Sequence, residues 1–132
     1  MYSSEYSDVS YLEDLNVAYV TWKKFCCRDD YRKPLLCALD IMRNHHNCHY
    51  AADTRNGFEN EAEDTQWLFD FFLPQTALTT CRAFFFIIDK DNNLKDELEG
   101  QAAELKKFFD VHYCFGLDEI KTILNQYEKQ NP

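Results

Sequence analysis

Residues 50–74, "YAADTRNGFENEAEDTQWLFDFFLP", hold the transition that decides the fold. The small apolar residues that open it belong to "CHYAAD" (48–53), a short run that predicts an interior strand. The charged triplet Asp53-Thr54-Arg55 closes that strand, and the acidic residues from Glu61 to Asp64 suit the first turn of a helix. The aromatic run from Trp67 carries the helix past Pro74. A buried strand, a loop and an apolar helix in this order form the first half of a β-α-β unit.

The rest of the chain extends the same alternation. Downstream, "CRAFFFIID" (81–89) is the clearest buried strand and "KDNN" stops it. "LKDELEGQAAELKKFF" (94–109) has a helical pattern, weakened at Gly100 by about 1 kcal/mol. "DVHYCF" (110–115) reads as a last short strand. "GLDEIKTILNQYEK" (116–129) is an amphipathic helix with Leu117, Ile120, Ile123, Leu124 and Tyr127 on one side. Upstream, "YSDVSYLEDL" (6–15) alternates, with Val9 and Tyr11 on one face. It pairs with "NVAYVTWKKF" (16–25) as a hairpin whose turn falls at Leu15-Asn16. Asp29-Asp30 open a helix in which Leu35, Leu36, Leu39 and Met42 recur down to Asn44, with Pro34 near its start. The predicted order is β-β-α-β-α-β-α-β-α, one α/β domain over residues 1–132. Its sheet is mixed, mostly parallel and five-stranded, flanked by helices, with the first strand antiparallel to the second.

Composition narrows the function. A chain of 132 residues with 45% hydrophobic and 16% aromatic residues builds a core and is not disordered. A formal charge of −9 argues against nucleic acid and against an anionic membrane surface. No apolar run approaches the ~18 residues of a membrane span. "MYSSEYSDVSYLEDL" has neither the basic region nor the apolar core of a secretory signal, so a cytoplasmic location is expected. Cys26, Cys27, Cys37, Cys48, Cys81 and Cys114 are then expected as reduced thiols, mostly buried, and no C-x-x-C pair occurs.

"NVAYVTWKKF", "YAADTR", the Trp-containing "TQWLFDFFLP", "CRAFFFII" and "DVHYCFGLDEIKTIL" together resemble the small bacterial SpoIIAA-like domains, relatives of the STAS fold of anti-sigma-factor antagonists. The architecture is also similar to that of CRAL-TRIO lipid-binding domains. The resemblance covers about Val9 to Leu124 and implies a mixed sheet flanked by helices, without chemistry. In STAS antagonists an Asp-Ser-Ser-Gly-Leu-Gly motif follows the third strand, and phosphorylation of the serine beside the Asp switches partner binding off. Here Asp53 matches that Asp and Thr54 that serine. Arg55 replaces the second serine, and the glycine pattern is missing, since Gly57 falls elsewhere.

Two candidate sites emerge. At the carboxyl ends of parallel strands, where open α/β sheets bind ligands, Asp53, Thr54, Arg55 and Asn56 form a candidate ligand or partner loop, with a helix N-terminus downstream for an anion. The competing reading is that Asp53 caps the loop and Arg55 pairs with Asp53 or Glu59. On an α-helical wheel Trp67, Phe71 and Leu78 point one way, Leu68 and Phe72 another, and Phe69 and Leu73 a third, with Asp70 the only charge in the run. So much apolar surface meets neighbouring loops and the N-terminal strand, a second subunit, or an apolar ligand. Trp67, Leu68, Phe71 and Phe72 form the candidate interface.

Other patterns carry less. His45, His46, Cys48 and His49 are metal-ligand types, but Cys48 and His49 point to opposite faces of a strand, so no metal is expected. Asp89, Asp91 and Asn93 start like a calcium loop that fails at Leu94 and Gly100. Cys114 and His112 share a strand face without the geometry of a nucleophile and its base. The expectation is a non-catalytic regulatory or protein-interaction domain, homodimeric through the aromatic helix and without a cofactor. The alternative is a carrier of a small apolar or amphipathic ligand.

Overall fold

Two strands, His49–Asp53 and Ala83–Ile87, are buried at every position, as expected for the centre of a sheet covered on both faces. The computed structural model describes residues 1–58, 60–89, 100 and 102–130, with side chains as far as Tyr127. Its elements are β1 (Tyr2–Ser3), β2 (Ser7–Leu12), β3 (Val17–Trp22), α1 (Asp29–Asn44), β4 (His49–Asp53), α2 (Ala62–Trp67), a π-helical turn (Leu68–Phe72), α3 (Leu73–Ala77), β5 (Ala83–Ile87), β6 (Asp110–Cys114) and α4 (Leu117–Gln130). Residues 102–105 are also helical. The helix expected over 94–109 gives way to turns at 106–109, and its residues 94–99 and 101 lie outside the described residues together with "KDNN".

The strands lie in chain order, β1 to β6. β1/β2 and β2/β3 are antiparallel, and the next three pairs are parallel. The sheet therefore has six strands where the sequence suggests five. The extra one, β1, is two residues long, too short for any alternation to show. Its Ser3 hydroxyl donates to Asp8 in β2 at 2.7 Å.

Period two then sorts the side chains. Ala18, Val20 and Trp22 of β3, Tyr50 and Ala52 of β4, and Phe84 and Phe86 of β5 face α1 and the α2–α3 rod, where the larger core cluster forms. Val9 and Tyr11 join this face, opposite Val20 and Ala18. Val17, Ala51, Ala83, Phe85, Ile87 and Cys114 turn to the other face, against Ile120, Ile123, Leu124 and Tyr127 of α4. Leu117, expected on the apolar side of that helix, is exposed at its first turn.

Two prolines shape the helices. Pro74 has no N–H for the carbonyl of Asp70, and its ring would press on that carbonyl in an unbroken α-helix. The chain widens by one residue just before it. Leu73 N–H donates to the Leu68 carbonyl five residues back, and the Thr76 hydroxyl donates to the Phe72 carbonyl at 2.8 Å. In α1, Pro34 similarly leaves the Asp30 carbonyl without its helical donor, and the Cys26 thiol approaches that oxygen at 3.5 Å. Within the helical layer they share, α2 is tied to α1 by Asp64, a buried carboxylate that accepts from Arg28 N–H at 2.9 Å and Arg32 Nε at 3.0 Å. Arg28 holds a left-handed φ of 52° there, a conformation that its bond to Asp64 helps fix. No described helix is long and apolar enough to cross a membrane.

Candidate functional site

Asp53 is the last residue of β4, and alternation turns its side chain to the α4 face, where Tyr19 of β3 places its hydroxyl 3.4 Å from Oδ2. Thr54 turns the opposite way and lines a cavity beneath α1 and the π-helical turn. The triplet is therefore divided by the sheet and does not act as one surface.

Arg55 closes back on Asp53. Its backbone N–H and Nε donate to Oδ1 at 3.1 and 3.0 Å, and Nη2 donates to Oδ2 at 2.7 Å. Burial by itself would raise the Asp53 carboxyl, but these charge-assisted bonds outweigh it and hold the group below the usual carboxylate range. The Asp53 side chain is 10% exposed and that of Arg55 50% exposed, so the pair shows solvent its cationic side. Asn56 is exposed beside it. Of the two pairings considered for Arg55, the one with Asp53 is formed. Glu59 lies outside the described residues.

Thr54 is buried. Its hydroxyl donates to the Ile87 carbonyl at 2.8 Å, and its backbone N–H donates to the same oxygen at 2.9 Å. These bonds continue the β4–β5 ladder one residue past its end, so the Thr54 hydroxyl is engaged inside the domain. The helix start downstream also differs from an anion site. The first turn of α2 carries Glu63 and Asp64, and the Asp64 and Thr65 N–H groups both point to the Glu61 carbonyl.

The cavity draws its lining from the sheet, the helices and the loop after β4. The strands contribute Trp22, Tyr50, Ala52, Phe84 and Phe86, the helical segments contribute Tyr31, Leu35, Leu68, Phe72 and Leu105, and the loop after β4 contributes Thr54, Gly57, Phe58 and Asn60. It offers ≈ 60 Å³ to the centres of water-sized molecules. Of these residues only Gly57, Phe58 and Asn60 reach the surface, so they form its mouth. Phe58 packs edge-on against Trp22 and Phe25, with centroids 5.9 and 5.3 Å away, and Phe25 is 50% exposed. Asn60 Nδ2 donates to the Tyr31 hydroxyl at 3.0 Å. Deeper in, burial raises the Tyr50 hydroxyl well above its ordinary value, which keeps it protonated.

The four candidate interface residues do not share one surface. Phe72 is in the core against Tyr50 and Phe84, and Leu68 is buried on the cavity wall. Trp67 is half-buried, stacked on Phe71 with the Arg32 guanidinium 5.6 Å from its ring. Phe71 is 40% exposed, and Leu78 is 81% exposed just beyond α3. An interface through Leu68 and Phe72 is therefore excluded, because each is already covered by its own sheet. Phe71 and Leu78 keep to one side of the rod and Leu68 and Phe72 to another, as on the wheel, but only the packed sheet decides which side is covered.

A second polar cluster lies at the amino ends of the strands, under α4. His49 Nδ1 accepts from the backbone N–H groups of Arg82 and Ala83, both at 3.2 Å, which leaves the ring proton on Nε2. Burial, with Arg82 nearby, pushes its pKa down to about 4. Tyr127 lies between the His49 ring and the Arg82 guanidinium. Its hydroxyl donates to Asp110 at 2.9 Å and lies 2.9 Å from His112 Nε2. Nothing in the sequence links His49 to Tyr127, which are 78 residues apart. The His45 ring stacks on Tyr11 at 3.8 Å, His46 is exposed, and Cys48 faces the core away from His49. Among the described residues no three of His, Cys, Asp and Glu converge as metal ligands. All six cysteines are free, and burial raises the Cys26 and Cys81 thiols to about 12 and those of Cys48 and Cys114 to about 11. These thiols are not poised as nucleophiles at neutral pH.

The chain matches no protein-family model, no curated protein and no solved structure.

Proposed function

We propose that this chain is a non-catalytic regulatory or protein-interaction domain, of the kind its resemblance to anti-sigma-factor antagonists implies, acting in the cytoplasm. Its partner meets the carboxyl ends of the strands. The observation that supports this is the rim there. Phe25, half exposed, rests edge-on against Phe58, three residues beyond the half-exposed Arg55 guanidinium. Aromatic residues and arginine are the types enriched at the energetic centres of protein interfaces. The test is affinity capture from the native host, comparing the intact chain with a Phe25→Asp, Arg55→Glu variant of unchanged fold. A protein retained by the first and lost by the second is expected, and identical captures would end the proposal.

A homodimer through the helical rod is the second reading, now resting on Phe71 and Leu78, the large apolar side chains the rod leaves to solvent. Sedimentation at rising concentration tests it. Phe71→Asp with Leu78→Asp should abolish association, and a strictly monomeric intact chain would exclude it.

A further inference from the structure

We propose that the cavity under the loop after β4 binds a small amphipathic molecule built on a single six-membered ring, of the phenol or benzyl-alcohol class. The cavity shares Phe58 with the partner rim, but the proposal does not depend on that rim.

Size sets the first limit. A water centre needs about 10–15 Å³, so the ≈ 60 Å³ of this cavity holds roughly four to six waters. At ~30 Å³ of liquid volume each, that is on the order of 120–180 Å³, the space of one ring and too little for an acyl chain. Shape sets the second. On the cavity face of the sheet, Ala52 stands in register between Val20 and Phe86, and Tyr50 stands beside Phe84. The recess is thus the gap that one methyl group leaves among aromatic side chains, and its flat walls suit offset or edge-on contact with a ring. Polarity sets the third. The Asn60–Tyr31 hydrogen bond sits by the mouth, whereas the inner walls include Leu35, Leu68 and Phe72. A ring bearing one hydroxyl places its apolar body inward and its oxygen beside Asn60. Three other recesses are open surface grooves bordered by charged side chains.

The probe is p-cresol, with toluene as the apolar comparison, titrated into the full chain by calorimetry and by the NMR signal of the Trp22 indole N–H. One p-cresol per chain is expected, with a saturable shift of the Trp22 signal and a raised Tm. Ala52→Leu fills the recess from its floor and should weaken p-cresol by at least about tenfold without lowering the Tm of the unliganded protein. Asn60→Leu should weaken p-cresol by about five- to tenfold and leave toluene within about twofold. Absence of heat and of any Trp22 shift in the intact chain overturns the proposal, as does equal p-cresol affinity in Ala52→Leu. Should Ala52→Leu not fold, the Trp22 signal and Asn60→Leu decide. Ala52→Leu leaves Phe25 and Arg55 in place, so lost p-cresol binding with unchanged partner capture separates this site from the partner surface.

Discussion

The guanidinium of Arg55 grips the carboxylate of Asp53 two residues back, Nε to Oδ1 at 3.0 Å and Nη2 to Oδ2 at 2.7 Å, while Tyr19 approaches the same carboxylate from the neighbouring strand. The loop is locked to the sheet through one acidic group. Arg55→Ala leaves that group with one backbone donor and Tyr19. Because Arg55 is half exposed, solvent already screens part of the pair, and a cost of about 1–2 kcal/mol is expected in urea unfolding. The pH dependence carries a sign. Asp53 has a folded pKa below its ordinary 3.8, so its contribution is present above that value and is lost as the pH falls through the depressed folded pKa. The acid-side loss should shrink in Arg55→Ala, and an unchanged stability at pH 7 would contradict the role given to the pair.

His49 sets the larger acid response. It is neutral in the folded chain, with a pKa of about 4 against an ordinary 6.5. The unfolded chain binds the proton more readily, so stability is full above about pH 6.5 and falls as the pH drops towards 4, by about 3 kcal/mol in all. His49→Asn keeps an acceptor for the Arg82 and Ala83 N–H groups but cannot titrate. Urea midpoints measured from pH 7 to pH 4 should fall less steeply for this variant, whatever its stability at pH 7.

Phe71 and Phe72 separate core from surface at adjacent positions. Phe72→Ala empties a fully buried site and should cost about 3–5 kcal/mol. Phe71→Ala removes a ring that is 40% exposed and should cost less than about 1 kcal/mol. Similar losses for the two would place the rod differently on the sheet.

Thr54→Val deletes a hydroxyl whose acceptor, the Ile87 carbonyl, keeps the Thr54 N–H. A loss of about 1 kcal/mol is expected, with partner capture unchanged. Thr54→Glu buries a charge in place of a hydrogen-bonded hydroxyl, and it should unfold the domain before it can imitate a phosphate. A folded Thr54→Glu chain with altered capture would instead restore a phosphorylation switch at this position.

Much of the architecture was legible in the sequence because it comes from local chemistry. The unbroken apolar runs in "CHYAAD" and "CRAFFFIID" mark strands covered on both faces of the sheet. The span from Ala62 to Ala77 could be read from its acidic start and apolar body, and the antiparallel opening hairpin from its turn. The pairing of Arg55 with Asp53 was equally within reach, since they stand two positions apart in the chain. β1 escaped notice because two residues have no period.

The remainder depended on partners distant along the chain. A linear pattern cannot tell which face of a strand will meet a cavity, so it could not separate Asp53 from Thr54 until β3 and β5 flanked them. The helical wheel separated Phe71 from Phe72, but only the packed sheet decided that Phe72 goes inward and Phe71 stays outside. The recess at Ala52 exists because Trp22, Phe72 and Phe86, brought from three separate elements, stop short of one another around a methyl group. Bonded geometry sets periodicity along the chain, but contacts across the sheet and the space left between its layers exist only after the layers have packed.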